Sequence, residues 1–193
     1  MAADRKRIVV GISGATGVIY GIRLLEQLKK AGVETHLILT NWASRNIELE
    51  TNYLPEDVAK LADYCHKENN LASVLASGSF IHNGMVVAPC SMKTLAALAH
   101  GFADNLLVRA ADVTLKEGRK LVLMPRETPL NAIHLENMLK LAKLGVTIMP
   151  PMPSFYNRPV TLDDLVNQTI GRVLDTLGLE NNLTKRWPGV DIG

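Results

Sequence analysis

Short apolar runs alternate with longer amphipathic stretches along this chain, and that rhythm constrains the fold more than any other feature of the sequence. The predicted strands are Arg7–Ser13, Glu34–Thr40, Met85–Ala88, Lys120–Met124 and Val146–Met149. The predicted helices are Gly17–Ala31, Asn41–Glu50, Pro55–Cys65, Met92–His100, Asn131–Leu144 and Thr161–Leu177. Strands that alternate with helices in this way form a mostly parallel sheet with helices on both faces. The sequence therefore predicts a single α/β domain over residues 1–193.

Charge and composition exclude several classes of protein. The 193 residues include 21 basic and 19 acidic side chains, and the longest basic run is Arg5–Arg7, so a nucleic-acid role has little electrostatic support. Apolar stretches such as Leu121–Met124 are far shorter than the roughly 20 residues of a membrane-spanning helix. Cys65 and Cys90 are far apart in the sequence, which favours a reducing compartment. We expect a cytoplasmic protein without nucleic-acid or membrane partners.

Ligands of open parallel sheets bind at the carboxyl ends of the strands. The segments that follow the predicted strands are Ser13–Gly17, Thr40–Asn41, Pro89–Thr94, Pro125–Glu127 and Pro151–Tyr156. We expect the chemistry of the protein at these five places.

The first of these segments belongs to the glycine-rich sequence GISGATG, with Gly11, Gly14 and Gly17 between a strand and a helix. Glycines there let backbone N–H groups approach an anion, so a phosphate-binding turn is the favoured interpretation and a merely tight turn is the alternative. A dinucleotide site is weaker, because Thr40 and Asn41 stand where an acidic residue usually binds the ribose. The sequence also lacks a Tyr-x-x-x-Lys pair.

Hydroxyl side chains follow the third predicted strand. Ser91 and Thr94 lie one helical turn apart at a predicted helix start, where they bind a phosphate or simply cap the helix. Cys90 is predicted to be a buried structural thiol, because none of the five histidines has a spacing that marks it as a partner. The histidines and the pair Asp163 and Asp164 show no metal-ligand pattern, so we predict no metal.

Charged residues near the fourth predicted strand are the last candidates. Arg126 and Glu127 end that strand just before Pro129, and this position favours a site pair over two solvated surface charges. Glu50 is either a site residue or a surface residue at the end of a helix. Lys116 is either a site residue or a charged residue of a loop.

Seven segments together resemble one family, the UbiX-like flavin prenyltransferases, formerly called flavoprotein decarboxylases. They read GISGATGVIYG, IELET, ASGS, PCS, RAADVTLKEGRKLVLMPRETPL, IHLENMLKLAKLGVTIMPPMPSFY and the terminal RW. With Trp42 and PCSMKTL, the chain is most similar to the branch of the family that is paired with hydroxyarylic acid decarboxylases. Ile19 and Tyr20 after the glycine turn separate it from the related cysteine decarboxylases, which place a catalytic histidine nearby.

The resemblance implies a Rossmann-like flavoprotein that binds FMN. With the flavin reduced, it would join a dimethylallyl group from dimethylallyl monophosphate to flavin N5 and C6, and the prenylated FMN would serve a separate UbiD-type decarboxylase. It further implies a homo-oligomer, typically a dodecamer built from trimers, with sites where subunits meet and a tail, 181–193, that packs on a neighbouring subunit. The alternative is a non-catalytic FMN-binding accessory subunit of a decarboxylase.

The resemblance also implies residue roles. The implied FMN contacts are Gly14, Ala15, Thr16, Thr40, Ser91, Thr94 and Arg126, and the implied prenyl phosphate contacts are Lys116, Tyr156 and Arg172, with Arg109 nearby. The implied catalytic set is Thr16, Glu50, Lys116, Glu127 and Tyr156, with Glu127 as general acid and base. The chain departs from the common family pattern at four of its positions: Thr16 and Thr40 replace serines, and Met92 and Lys93 replace threonine and glycine.

Overall fold

A computed structural model describes residues 5–183, 186, 187 and 189 of the chain. Its single sheet has six strands: β1 Arg7–Ile12, β2 Glu34–Leu39, β3 Tyr64–Lys67, β4 Gly84–Cys90, β5 Leu121–Pro125 and β6 Thr147–Ile148. Every neighbouring pair is parallel, in the order β3-β2-β1-β4-β5-β6. This is the strand order of doubly wound nucleotide-binding folds, and it confirms the predicted Rossmann-like α/β class.

The helices are α1 Val18–Lys30, α2 Asn41–Glu50, α3 Pro55–Ala59, α4 Met92–Ala99, α5 Leu106–Lys116, α6 Ala132–Lys143 and α7 Leu162–Thr176, with a short 3-10 helix at Val74–Ala76. None of those in the described part of the chain is long and apolar enough to cross a bilayer.

Both faces of the sheet are covered, because its central strands are apolar on both sides. All seven residues of β4 are buried. A Cβ on Gly11 would lie 3.1 Å from Leu107 of α5, whereas a Cβ on Gly21 of α1 would lie 2.6 Å from Ile12. Since adjacent residues of β1 point to opposite faces, α1 and α5 pack on opposite sides.

Three elements, α3, β3 and α5, differ from the sequence-based prediction. The helix predicted over Pro55–Cys65 ends at Ala59, and the strand β3 follows it at the sheet edge. The Asp63 carboxylate accepts hydrogen bonds from the Thr35 N–H and hydroxyl at 2.8 and 3.1 Å, which brings this segment alongside β2. Helix α5 was not predicted at all.

The chain divides into two compact units between Pro151 and Met152, and the prediction of a single domain stays a prediction. In the second unit, Thr161 and Asp164 form a capping box at the start of α7. Arg186 and Asp175 form an ion pair at 2.8 Å. Of the predicted tail 181–193, residues 184, 185, 188 and 190–193 lie outside the described residues, so its packing on a neighbour stays a prediction.

Gly21 is where α1 approaches the sheet most closely, and it generates the first prediction. A Cβ there would lie 2.4 Å from the Ala88 carbonyl oxygen, and neither backbone can move away freely. We expect Gly21→Ala to lower the free energy of unfolding by about 1–3 kcal/mol, because overpacking outweighs the gain in helix propensity. Lys30→Ala, at an exposed position of the same helix, should change it by about 0.5 kcal/mol or less in the same denaturation measurement. An unchanged Gly21→Ala variant would contradict the close approach.

Stability should also fall in mild acid because of His82. Burial lowers the pKa of this imidazole from 6.5 to about 4, and its Nδ1 lies 3.1 Å from the Gly84 carbonyl oxygen. Between these two pKa values the unfolded chain binds a proton at His82 and the folded chain does not. The contribution of neutral His82 to stability is therefore present above pH 6.5 and is lost as the pH falls towards 4. Between pH 8 and pH 5 the loss is about 2 kcal/mol. His82→Gln should reduce the measured difference in unfolding free energy by that amount; an identical pH profile would refute the assignment.

Candidate active site

A buried serine joins the two central strand ends. The Ser13 hydroxyl donates to the Pro89 carbonyl at 2.9 Å and accepts from the Ser91 N–H at 2.7 Å, and the residue is only 1% exposed. Ser13 follows β1, and Ser91 follows β4. The helices after these neighbouring strands, α1 and α4, go to opposite faces, so a crevice opens between their carboxyl ends. The glycine turn and the Ser91 segment are thereby held side by side.

The glycine turn is packed tightly against α2. A Cβ on Gly14 would lie 2.4 Å from the Cβ of Trp42, so only glycine fits there. Gly17 has a φ of 95°, in the left-handed region that glycine adopts without strain. The Glu50 Oε2 atom accepts from the N–H groups of Gly17 and Val18 at 2.8 and 3.2 Å. Glu50 is thus a carboxylate bound at the start of α1, a favourable place for a negative charge, and not an isolated surface residue.

Three helix N-termini converge on one pocket. Thr40 caps α2, Ser91 caps α4 and Asn105 caps α5, each through a side-chain oxygen that accepts from a backbone N–H. The pocket has a volume of about 300 Å³ and is lined by Gly14, Thr40, Trp42, Glu68, Ser91, Lys93, Thr94, Ala97, Asp104, Asn105 and Val108. The positive ends of three helix dipoles make this a place that favours an anion.

Two hydroxyls in the pocket retain a donor proton for a ligand. Thr40 and Thr94 are 8% and 7% exposed. Thr40 Oγ1 accepts from the Ala43 N–H at 3.1 Å, and Thr94 Oγ1 accepts from the Ser91 hydroxyl at 3.0 Å. The described residues offer no acceptor for the proton of either threonine. A phosphate, which only accepts hydrogen bonds, satisfies both donors, so these residues fit the phosphate of FMN. Ser91 is a helix cap, as one interpretation predicted, and Thr94 faces the pocket and not solvent.

Three charged residues of the pocket were not predicted. The Glu68 Oε2 atom accepts from the Asn41 N–H at 2.8 Å, and the Lys93 ammonium lies 3.5 Å from Asp104 Oδ2. Glu68 follows β3 and Asp104 directly precedes Asn105, the cap of α5. Glu68 and Asp104 were missed because β3 and α5 were missed, whereas Lys93 lies on the predicted helix α4. For α5, the available signal was Asn105, a residue type typical of a helix N-cap, at the start of an apolar helical stretch.

The end of β5 brings Arg126 and Glu127 to the same edge of the sheet. The Arg126 N–H donates to the Cys90 carbonyl at 3.2 Å, which places the pair next to the end of β4. Glu127 Oε1 accepts from the Thr128 N–H at 3.0 Å. Both side chains are exposed. In the glycine turn of the same edge, Ala15 is buried and Thr16 is exposed.

Lys116 and Arg109 lie elsewhere. Helix α5 starts at the pocket and runs back for 11 residues, about 16 Å, so that Lys116 reaches the amino edge of the sheet. There it pairs with Glu117 beside Gly78. Arg109, midway, binds Asp112 at 2.9 Å and the Ala76 carbonyl at 3.2 Å. One chain therefore does not bring Lys116 next to Glu127.

The remaining predicted residues belong to the second unit. The ring of Tyr156 packs edge-on against Trp187 at 5.5 Å between centroids. Arg172 Nη1 lies 3.3 Å from Asp175 Oδ2. Their predicted role at the prenyl phosphate stays a prediction.

Cys90 is an inert thiol, as its sequence context predicts. It is fully buried, and burial raises the pKa of the thiol to about 12, so at neutral pH it holds its proton and is a poor nucleophile. Among the described residues, no group of three or more His, Cys, Asp or Glu side chains is placed to hold a metal ion.

Comparisons with known proteins show the family of the chain. Residues 2–174 match the model of the Flavoprotein family. A probable UbiX-like flavin prenyltransferase from Escherichia coli is 55% identical over 185 residues, which cover 95% of this chain and 94% of that protein.

Two solved structures share the fold closely. A dodecameric FMN-dependent UbiX-like decarboxylase from Escherichia coli O157:H7 is 55% identical, with a TM-score of 0.93 and coverage of 95% of this chain and 100% of the other. The structure of AnUbiX in complex with FMN and dimethylallyl pyrophosphate is 49% identical, with a TM-score of 0.96 and coverage of 97% and 100%. The sheet is Rossmann-like, and the pocket at the carboxyl ends of its strands is compatible with a phosphate. Together with more than 50% sequence identity to a named relative over nearly the full length, these features show that the chain belongs to the UbiX-like flavin prenyltransferase family.

Proposed function

We propose that this protein is a flavin prenyltransferase that joins a dimethylallyl group from dimethylallyl monophosphate to N5 and C6 of reduced FMN. The product, prenylated FMN, is passed to a separate UbiD-type decarboxylase that acts on hydroxyarylic acids. The observation that carries the proposal is the pocket at three helix starts, where two buried threonine hydroxyls have protons to donate. The AnUbiX complex, which contains FMN and dimethylallyl pyrophosphate, supports the pairing of FMN with a dimethylallyl donor.

Thr40, Ser91 and Thr94 hold the FMN phosphate in this proposal, and Gly14, which packs against Trp42, contacts the cofactor from the lining of the same pocket. Ala15, Thr16 and Arg126 contact the remainder of the flavin nucleotide. When bound and reduced, FMN supplies the nucleophilic ring atoms N5 and C6. The chain orients this nucleotide across the ends of β1 and β4, whose positions Ser13 fixes through hydrogen bonds of 2.7 to 3.2 Å.

The prenyl donor requires cations and a proton carrier. Negative charge accumulates on its phosphate as the allylic C–O bond breaks, and a positive side chain at that oxygen stabilises the transition state. Lys116 and Arg172 supply this charge, Tyr156 donates a hydrogen bond, and Arg109 lies nearby. Glu127 moves the protons. Because its Oε1 is bound by the Thr128 N–H, Oε2 is the oxygen that exchanges them.

A second copy of the chain completes the site. Lys116 lies near the amino ends of the strands and Glu127 near their carboxyl ends. The five residues of β5 separate the two levels, a distance of about 16 Å. Both can act on one donor only if they come from different subunits. The dodecameric relative supports such an assembly. So does the apolar surface of α6, where Ile133, Leu135 and Leu139 are all more than half exposed. We propose a dodecamer in which the tail 181–193 packs on a neighbour, and in which all of 1–193 acts as one domain.

We place the protein in the cytoplasm. Cys65 and Cys90 are both free, as expected for a reducing compartment, and the reaction itself requires reduced flavin.

Incubation of the anaerobic protein with reduced FMN and dimethylallyl monophosphate should produce a flavin that is heavier by one five-carbon unit in the mass spectrum. Glu127→Gln, which keeps the shape but cannot carry the proton, should slow the single-turnover reaction by about 10²- to 10⁴-fold. Lys30→Met, at an exposed position of α1, serves as the unaffected control. Tight FMN binding without any gain in mass would leave only the accessory-subunit function.

Subunit mixing tests the shared site. Lys116→Ala and Glu127→Gln should each be inactive alone, whereas co-expression of the two should restore activity at about a quarter of the sites if subunits assemble at random. Arg126→Ala co-expressed with Glu127→Gln is the matched control, because neighbouring residues reach a site from the same chain and no rescue is expected. If Lys116→Ala fails to complement Glu127→Gln while assembly is intact, the shared site is wrong.

A further inference from the structure

The charge of the pocket depends on Lys93, a residue to which the family resemblance assigns no role. Glu68 and Asp104 are carboxylates in its lining, and Lys93 is the one cation among the described residues that line it. Each helix start contributes about half a positive charge, so two carboxylates offset the attraction of three helix starts for an anion. Without Lys93 most of that attraction would be lost. With it, the positive charges exceed the negative ones.

We propose that Lys93 binds the cofactor phosphate directly and sets the preference of this pocket for FMN over flavins without a phosphate. The inference rests on the proposed function and adds a binding residue to it. Lys93 is the second residue of α4, at the same helix start whose cap, Ser91, and whose buried hydroxyl, Thr94, line the pocket. Its side chain therefore begins beside the donors that fit a phosphate.

The contact with Asp104 leaves the Lys93 ammonium near the pocket with hydrogen-bond donors still available for a ligand. The separation is 3.5 Å and the Lys93 side chain is 79% exposed, so the pair contributes little to stability. An ammonium has three donor hydrogens, and the contact with Asp104 accounts for one. The other two remain for phosphate oxygens, and a short rotation of an exposed side chain is enough to present them.

Asp104 competes with the phosphate for this ammonium, and its own negative charge opposes the phosphate. Its removal should therefore strengthen phosphate binding, opposite in sign to the effect of removing Lys93. A merely structural ion pair would not give two opposite effects.

Fluorescence titrations with FMN and with riboflavin, which lacks the phosphate, test the proposal on the assembled protein. Lys93→Met should weaken FMN binding about tenfold and leave riboflavin binding unchanged. Lys93→Arg should keep FMN affinity within about threefold of the unsubstituted protein, and Asp104→Asn should tighten FMN binding. Lys30→Met, an exposed lysine on α1 away from the pocket lining, is the matched control. Added salt should weaken FMN binding less in Lys93→Met than in the unsubstituted protein.

Two results would overturn the assignment while the proposed function stands: equal FMN affinity in Lys93→Met and the unsubstituted protein, or an equal loss for FMN and riboflavin, which would indicate a structural effect. Failure of the unsubstituted protein to bind FMN at all would instead overturn both the proposed function and the inference.

Discussion

The hydrogen bonds of Ser13 are the interaction on which the site depends. A single hydroxyl, 1% exposed, accepts from the Ser91 N–H and donates to the Pro89 carbonyl. Without it, the half-buried Ser91 N–H would lose its partner, at a cost of about 1–3 kcal/mol, and the Pro89 carbonyl would keep only the Ser13 N–H, at 3.2 Å. The glycine turn and the cap of α4 keep their relative position because these bonds join them. The other residues of the pocket lining lie around these two joined segments.

The chain uses its own carboxylates to satisfy helix starts around the pocket. Glu50 binds the first N–H groups of α1, and Glu68 binds the Asn41 N–H at the start of α2. Such contacts stabilise the helices, but they also occupy positions that a phosphate would otherwise favour. What distinguishes the remaining space is the pair of buried threonine hydroxyls. Their protons select an acceptor-only ligand, whereas the dipoles alone select only negative charge.

The sequence was sufficient where local pattern and tertiary structure agree. The central strands are continuous apolar runs, and the glycine turn and the Ser91 cap follow from where those strands end. The edge strand β3 was missed because its residues are mostly exposed and its position depends on Asp63 binding Thr35, a contact between distant segments. The roles of Glu68 and Glu50 were hidden for the same reason. Each acts on a helix start that is remote in sequence, and no local period records such a contact.

Exposure of Arg126 and Glu127 gives a physical reason for an active site shared between copies. In one chain both side chains are exposed, and an allylic fragment with cationic character released there would be captured by water. A reaction of this kind needs a dry site, where the cations also act more strongly on the departing phosphate. The carboxyl edge of an open sheet cannot exclude water from both sides by itself. A neighbouring subunit that presents Lys116 there, as we propose, would cover the carboxyl ends of the strands and bring in the missing charge in one contact, so assembly and catalysis would have the same structural cause.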